Sequence, residues 1–221
     1  MGEWSPPWWS SGCVVNLFAL LHATRDVWAM RYPLEDVESL IAATIWSSNA
    51  ITARDLYRVV GGGDVLLGVQ RVEQFVREDL HLPGVILDHP PAFDDSIGIS
   101  PDNWVTAESM NAALGALWRN EAIPEPSWRD FLLYHMTQVK PGLNYLTAVT
   151  PEVVSHKNGF MWASIGYVDN DVGIVRLVGR DGGEYAYAIS FLSEGVETEY
   201  ADIPLGQQLT YLAYEAMSAR Y

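Results

Sequence analysis

The single thiol of this 221-residue chain, Cys13, opens an apolar run, and Asn16 follows it one helical turn later. A thiol at the N-terminus of a helix meets partial positive charge, which favours the thiolate and makes it a nucleophile without an adjacent base. Asn16 would face the same side, where it could hold a substrate carbonyl or a water but could not act as a base. Amines are almost as scarce, since Lys140 and Lys157 are the only lysines. Lys157 lies in the stretch His156-Lys157-Asn158-Gly159, within a β-rich region. It is either a solvated strand residue or a source of positive charge for a substrate or thiolate. Strand alternation sends His156 to the opposite face, where it reads as structural. Ser47 and Asn49, between two helical patterns, either cap a helix or border a cleft. Cys13 itself has an ordinary alternative, a small buried hydrophobe. His22, His81, His89 and His135 are scattered without metal-ligand spacing, so neither a metal nor a cofactor is expected.

The elements that must position these groups can be read from periodicity and punctuation. From Cys13 the chain is apolar nearly all round until Arg25 and Asp26, the mark of a helix buried on most faces. A second helix is predicted over 34–46 after Pro33, and a third runs from the Ser47-Ser48-Asn49 break to Val60. Gly61-Gly62-Gly63 ends the third, and Asp64 caps the next. The proline-rich residues 80–104 read as a long loop, and Thr106 and Ser127 as N-caps of helices near 107–119 and 128–139. Strands are predicted over 153–156, 160–168, 172–178 and 184–192, with a hairpin turn at Arg180-Asp181-Gly182-Gly183. A last helix covers about 205–219. Helices first, then an antiparallel sheet, then a helix make an α+β layout, and one domain over 1–221 is the simplest division. Residues 1–12 are an irregular Trp/Pro-rich segment, and Trp4, Trp8, Trp9, Trp28 and Trp46 read as core before they read as an apolar pocket lining.

Composition narrows the partners. Lys and Arg total 13 against 28 Asp and Glu, a net charge of −15, which repels nucleic acid and anionic membranes. Apolar residues at 49% and charged ones at 19% exclude a disordered chain. One cysteine rules out an intramolecular disulfide. No run of 18 apolar residues or signal-peptide pattern is present, and with Met1 as the native start a cytoplasmic location is expected.

Three segments in order resemble the landmarks of the serine β-lactamase and penicillin-binding protein superfamily, S-x-x-K, S-D-N and K-T-G. They are Cys13-Val14-Val15-Asn16, Ser47-Ser48-Asn49 and Lys157-Asn158-Gly159. The flanks Ile41-Ala42-Ala43-Thr44-Ile45-Trp46, Gly61-Gly62 and Asp171-Val172-Gly173-Ile174-Val175 are similar to class A-like members as well. The resemblance implies a shortened β-lactamase-like fold with a sheet of about three strands, because the family's two N-terminal strands have no counterpart. The Trp-Pro segment or a second subunit, as in a homodimer, would then cover the sheet edge. The departures are chemical: Cys13 replaces the nucleophilic Ser, Asn16 the Lys, Ser48 the Asp and Asn158 the Thr. Pro91 falls near the position of the class A deacylating Glu, with Asp94 and Asp95 the nearest acids.

The resemblance implies a division of labour. Cys13 is the nucleophile, Ser47 relays protons and Lys157 manages charge. Backbone N–H groups of Cys13 and Phe160 form the oxyanion hole, and Asn16, Asn49, Asn158 and Gly159 bind substrate. The reading is a cysteine-nucleophile acyl-transfer enzyme (hydrolase, transferase or cyclase) acting on an amide, ester or thioester of a small metabolite, in biosynthesis rather than on peptidoglycan. Two alternatives remain open: a non-catalytic member that binds a small ligand or partner in the inherited cleft, and a non-covalent isomerase or cyclase in which Cys13 moves a proton.

Overall fold

The computed structural model of the protein describes residues 7–90, 103–142, 145–163 and 166–221. After a two-residue strand β1 (Trp9–Ser10), a 3-10 turn over Gly12–Val15 leads directly into α1 (Asn16–Trp28). The α-helix therefore starts at Asn16, three residues later than the apolar run suggests. Gly12, at φ +48°, turns the chain sharply, and Val14 N–H donates to Ser11 O at 3.2 Å, so the first turn is wound tighter than an α-helix. Leu17, Phe18, Ala19, Leu20 and Leu21 are all fully buried, as a central helix demands.

Around α1 pack α2 (Glu38–Trp46), α3 (Ala50–Val60) and α4 (Val65–Gln74). The second helix is shorter than expected, because Leu34–Asp36 forms only a 3-10 turn and Val37, at φ −128°, interrupts it. Asn49 caps α3 through Oδ1, which accepts from Ile51 and Thr52 N–H, and Asp64 caps α4 in the same way. The α3–α4 hairpin is tight. A Cβ on Gly68 would stand 1.8 Å from the Tyr57 carbonyl oxygen, so the close approach that fixes Tyr57 requires glycine.

Residues 80–104 are not loop throughout: β2 (Val85–Ile86) and β3 (Trp104–Val105) form a small antiparallel sheet with β1, in the order β1-β3-β2. The Trp/Pro segment thus pairs with this second sheet, and Pro91, Asp94 and Asp95 lie outside the described residues. Thr106 caps α5 (Ala107–Trp118) as expected. Ser127 does not cap α6 (Pro126–Met136); Glu125 holds the N-cap position and Pro126 opens the helix, since a missing N–H costs nothing there.

The main sheet runs β4 (Val154–Ala163), β5 (Gly166–Val178) and β6 (Glu184–Phe191), antiparallel and in that order. Sequence reading divides β4 at Lys157-Asn158-Gly159, whereas the register is unbroken from Val154↔Val175 to Ala163↔Gly166. Cross-strand pairing overrides the poor β propensity of Asn and Gly. The large core lies between the helices and one sheet face; α7 (Ile203–Arg220) packs on the other, over Val154, Val175 and Leu177. Trp8, Trp28 and Trp46 are 41%, 39% and 36% exposed and so do not form the core that their apolar character suggested. The core is filled instead by aliphatic side chains of α1, α3 and α5. No helix among the described residues is long and apolar enough to cross a membrane.

Candidate active site

Cys13 sits half-buried in the tight turn before α1. Its backbone lies against β4: a Cβ on Gly159 would stand 2.6 Å from Cys13 N and 2.7 Å from Val14 N. Glycine at 159 is thus what lets the start of the helical turn touch the strand, with Phe160 next along it. Phe160 is half-buried and its ring packs against those of Tyr167 and Tyr200.

Lys157, two residues before that contact, is wholly buried. Its ammonium donates to Ser48 Oγ and to the Asn158 carbonyl, and Ser48 Oγ also donates to Asn158 O at 3.0 Å. No ion pair holds Lys157 among the described residues, so the amine has lost water without gaining a contacting carboxylate. Burial accordingly pulls its pKa down to about 8, while the nearby Cys13 and Asp171 act in the opposite direction. Burial raises the pKa of Tyr57, and the neighbouring Cys13 adds to the shift.

Tyr57 is a member that sequence reasoning missed. It projects from α3 on the same stripe as Ala53, Leu56 and Val60, and its hydroxyl is buried with no hydrogen-bond partner among the described residues. Asn16 is similar: the residue is 1% exposed and neither Oδ1 nor Nδ2 finds a partner among the described residues. Two unsatisfied polar side chains near a thiol are costly in a core, because each has given up water without gaining a partner. The signal available in sequence was a tyrosine on the apolar i, i+3, i+4, i+7 stripe of α3, where a polar tip has to be accommodated.

The Beta-lactamase2 profile, described as a "Beta-lactamase enzyme family", matches residues 24–217. The chain belongs to this family. Among solved structures, a class A β-lactamase from Bacteroides cellulosilyticus DSM 14838 is similar, with a TM-score of 0.78 at 19% identity, over 96% of this chain and 85% of that one. A β-lactamase from Chitinophaga pinensis DSM 2588 follows at 0.74 and 17%, covering 96% and 87%. The chromosome-encoded β-lactamase of Vibrio parahaemolyticus gives 0.74 and 13%, covering 96% and 86%. These likenesses establish a shared fold, a shortened α+β β-lactamase-like arrangement, and the family match over residues 24–217 places the chain in the β-lactamase-like group. No curated protein sequence matches the chain.

On this β-lactamase-like scaffold the expected site residues separate into two groups. Cys13, Asn16, Lys157, Asn158 and Gly159 come together where the helical turn meets β4. Ser47 and Asn49 do not join them. The Ser47 hydroxyl donates back to Ala43 O at 3.0 Å, and the exposed Asn49 spends its Oδ1 on the α3 cap. Ser48, at φ +52°, stands against Lys157, whereas Ser47, the expected proton relay, does not. One residue of backbone twist in a left-handed conformation decides which serine turns inward. Asn158 is buried and meets the cluster through its carbonyl. His156 lies on the opposite face, its Nδ1 2.8 Å from Asp171 Oδ1, while Asp171 Oδ2 accepts from Leu146 N–H. That pair braces β4 against β5 on the face away from Lys157.

Proposed function

We propose that the protein is a Cys13-dependent acyl-transfer enzyme on its β-lactamase-like scaffold, acting on an amide, ester or thioester of a small molecule. The observation that supports this most directly is the Lys157–Ser48 pair beside Cys13, a buried amine with no contacting carboxylate among the described residues and a pKa lowered to about 8. An amine in that range can take and return a proton near neutral pH. Ser48-Asn49-Ala50 then replaces Ser47-Ser48-Asn49 as the working register of the middle motif, with Ser48 as proton relay.

In the first step Cys13 Sγ bonds to the carbonyl carbon, and the thiol proton passes to Lys157 Nζ directly or through Ser48 Oγ. The oxyanion is held by the N–H groups of Cys13 and Phe160. Collapse breaks the bond to the leaving group, which receives the proton from Lys157, and leaves a thioester on Cys13. Water, an amine or an alcohol then takes the acyl group by the same steps in reverse. Asn16 offers its unpaired carboxamide to substrate or to an ordered water.

Labelling of the single thiol, followed by intact mass across pH, tests the reading together with a panel of β-lactam, ester and thioester donors. Fast labelling in the folded protein and a mass adduct abolished by Cys13→Ala support it. Labelling that waits for unfolding, with ligand binding retained in Cys13→Ala, would replace it with the non-catalytic reading. Turnover lost in Cys13→Ala with no adduct in a single turnover would replace it with proton-transfer catalysis.

A further inference from the structure

Helix α7 is apolar on both sides. One side, with Gly206, Thr210, Tyr214, Met217 and Tyr221, faces the sheet: a Cβ on Gly206 would stand 2.9 Å from the Phe191 ring, and Tyr214, Met217 and Tyr221 pack on Val154, Val175 and Leu177. The other side carries Leu205, Leu209, Leu212, Ala216 and Ala219, and every one of these is exposed. The three leucines are 55%, 50% and 55% exposed. Their spacing alternates four and three residues, the pattern of a coiled-coil seam, whereas a helix on a monomer surface is polar on its outer side.

We propose that this seam is the interface of a parallel homodimer, in which α7 packs against α7 of a second copy in register. Two features select a second copy as occupant. The first is charge. Residues 203–214 contain no Asp, Glu, Lys, Arg or His, on a chain with a net charge of −15, so identical copies meet here without bringing their carboxylates together. The second is the position of the charges that do follow. With Leu209 and Ala216 at a and Leu205, Leu212 and Ala219 at d, Glu215 falls at g and Arg220 at the e position five residues on. In a parallel pair Glu215 of each copy therefore reaches Arg220 of the other, twice by symmetry, while an antiparallel pair directs like positions at each other. The sequence leaves the Trp-Pro segment or a second subunit to cover the sheet edge; the outer side of α7 is the surface with a matched, self-complementary pattern. This inference is independent of the chemistry at Cys13.

Sedimentation of the intact protein over a broad concentration range tests it. The expected result is a two-chain mass that falls to one chain in Leu209→Glu/Leu212→Glu, with the thermal melt retained because neither side chain supports the core. Arg220→Glu weakens association several-fold by opposing it to Glu215, and Glu215→Arg/Arg220→Glu restores it. A wild-type chain that stays monomeric at every concentration, or a dimer that survives the leucine pair, overturns the proposal. Indifference to the charge reversals overturns the parallel register.

Discussion

Two buried ionisable groups on neighbouring strands answer the same problem in opposite directions. Lys157 on β4 and Asp169 on β5 are each wholly buried. Burial pulls the amine down to about 8 and pushes the carboxyl up to about 7, the latter reinforced by the adjoining Asp202 carboxyl. Desolvation disfavours the charged form whatever its sign, so each group moves toward neutrality. What differs is the neighbourhood. Lys157 meets a hydroxyl, a carbonyl and a thiol, all able to exchange a proton with it or accept its hydrogen bonds. Asp169 meets a second acid. The first arrangement is the one the proposed chemistry at Cys13 would use, and both make the fold sensitive to pH, in opposite directions.

The largest expected effect breaks the Lys157 side of this comparison. Lys157→Met should lower single-turnover acylation of Cys13 by about 100-fold or more, the usual size of a lost acid–base group. Thermal stability should hold or rise, because an apolar side chain of similar volume replaces a desolvated amine. Loss of both activity and fold would instead make Lys157 structural. Gly159→Ala comes next. Its Cβ meets the backbone of Cys13 and Val14, which can yield only by moving the turn off β4, so a cost of about 1–3 kcal/mol in chemical denaturation should accompany a loss of acylation.

The pH dependence of stability sharpens the comparison, because the two groups have opposite signs. The Asp169 pKa is raised on folding, so its contribution is fully present below the unfolded carboxylate range and is lost as pH rises toward about 7. The Lys157 pKa is lowered on folding, so the unfolded chain binds the extra proton between about 8 and the ordinary lysine value of 10.5, and stability recovers as pH climbs through that interval. Denaturation midpoints measured from acid to alkaline pH should therefore fall and then rise. Asp169→Asn should flatten the acid limb and Lys157→Met the alkaline one. A flat profile in the wild type would contradict both burials.

The smallest effect separates two adjacent serines. Ser48→Ala should slow acylation measurably, since it removes the hydroxyl that Lys157 touches. Ser47→Ala should leave the rate unchanged within error, because its hydroxyl is bonded to Ala43 O. Equal effects from the two would return the middle motif to Ser47-Ser48-Asn49.

Much of the fold was legible in the chain itself. The all-round apolar pattern after Cys13, the glycine stop at 61–63, Asp64 and Thr106 as caps, and the hairpin at 180–183 are local decisions made by side-chain size, capping oxygens and turn glycines. Local signals of this kind put Cys13 at a helical start but left Lys157 and Gly159 between two predicted strands. They failed where a distant strand or a backbone twist had the final word. β4 runs through Lys157-Asn158-Gly159 because β5 pairs with it throughout, and Ser127 yielded its cap to Glu125 because Pro126 took the first helical position.

The sequence by itself determined the α+β layout, the scarcity of amines and thiols, and the identity of the residues that could do chemistry. Only the tertiary structure decided that Ser48 rather than Ser47 turns to Lys157, that Tyr57 and Asn16 bring unpaired polar atoms to the thiol, and that the leucine seam of α7 faces outward. Periodicity can say that a residue lies on an apolar stripe. Which stripe is buried, and which groups lose their water together, depends on contacts between segments more than a hundred residues apart, such as Ser48 with Lys157.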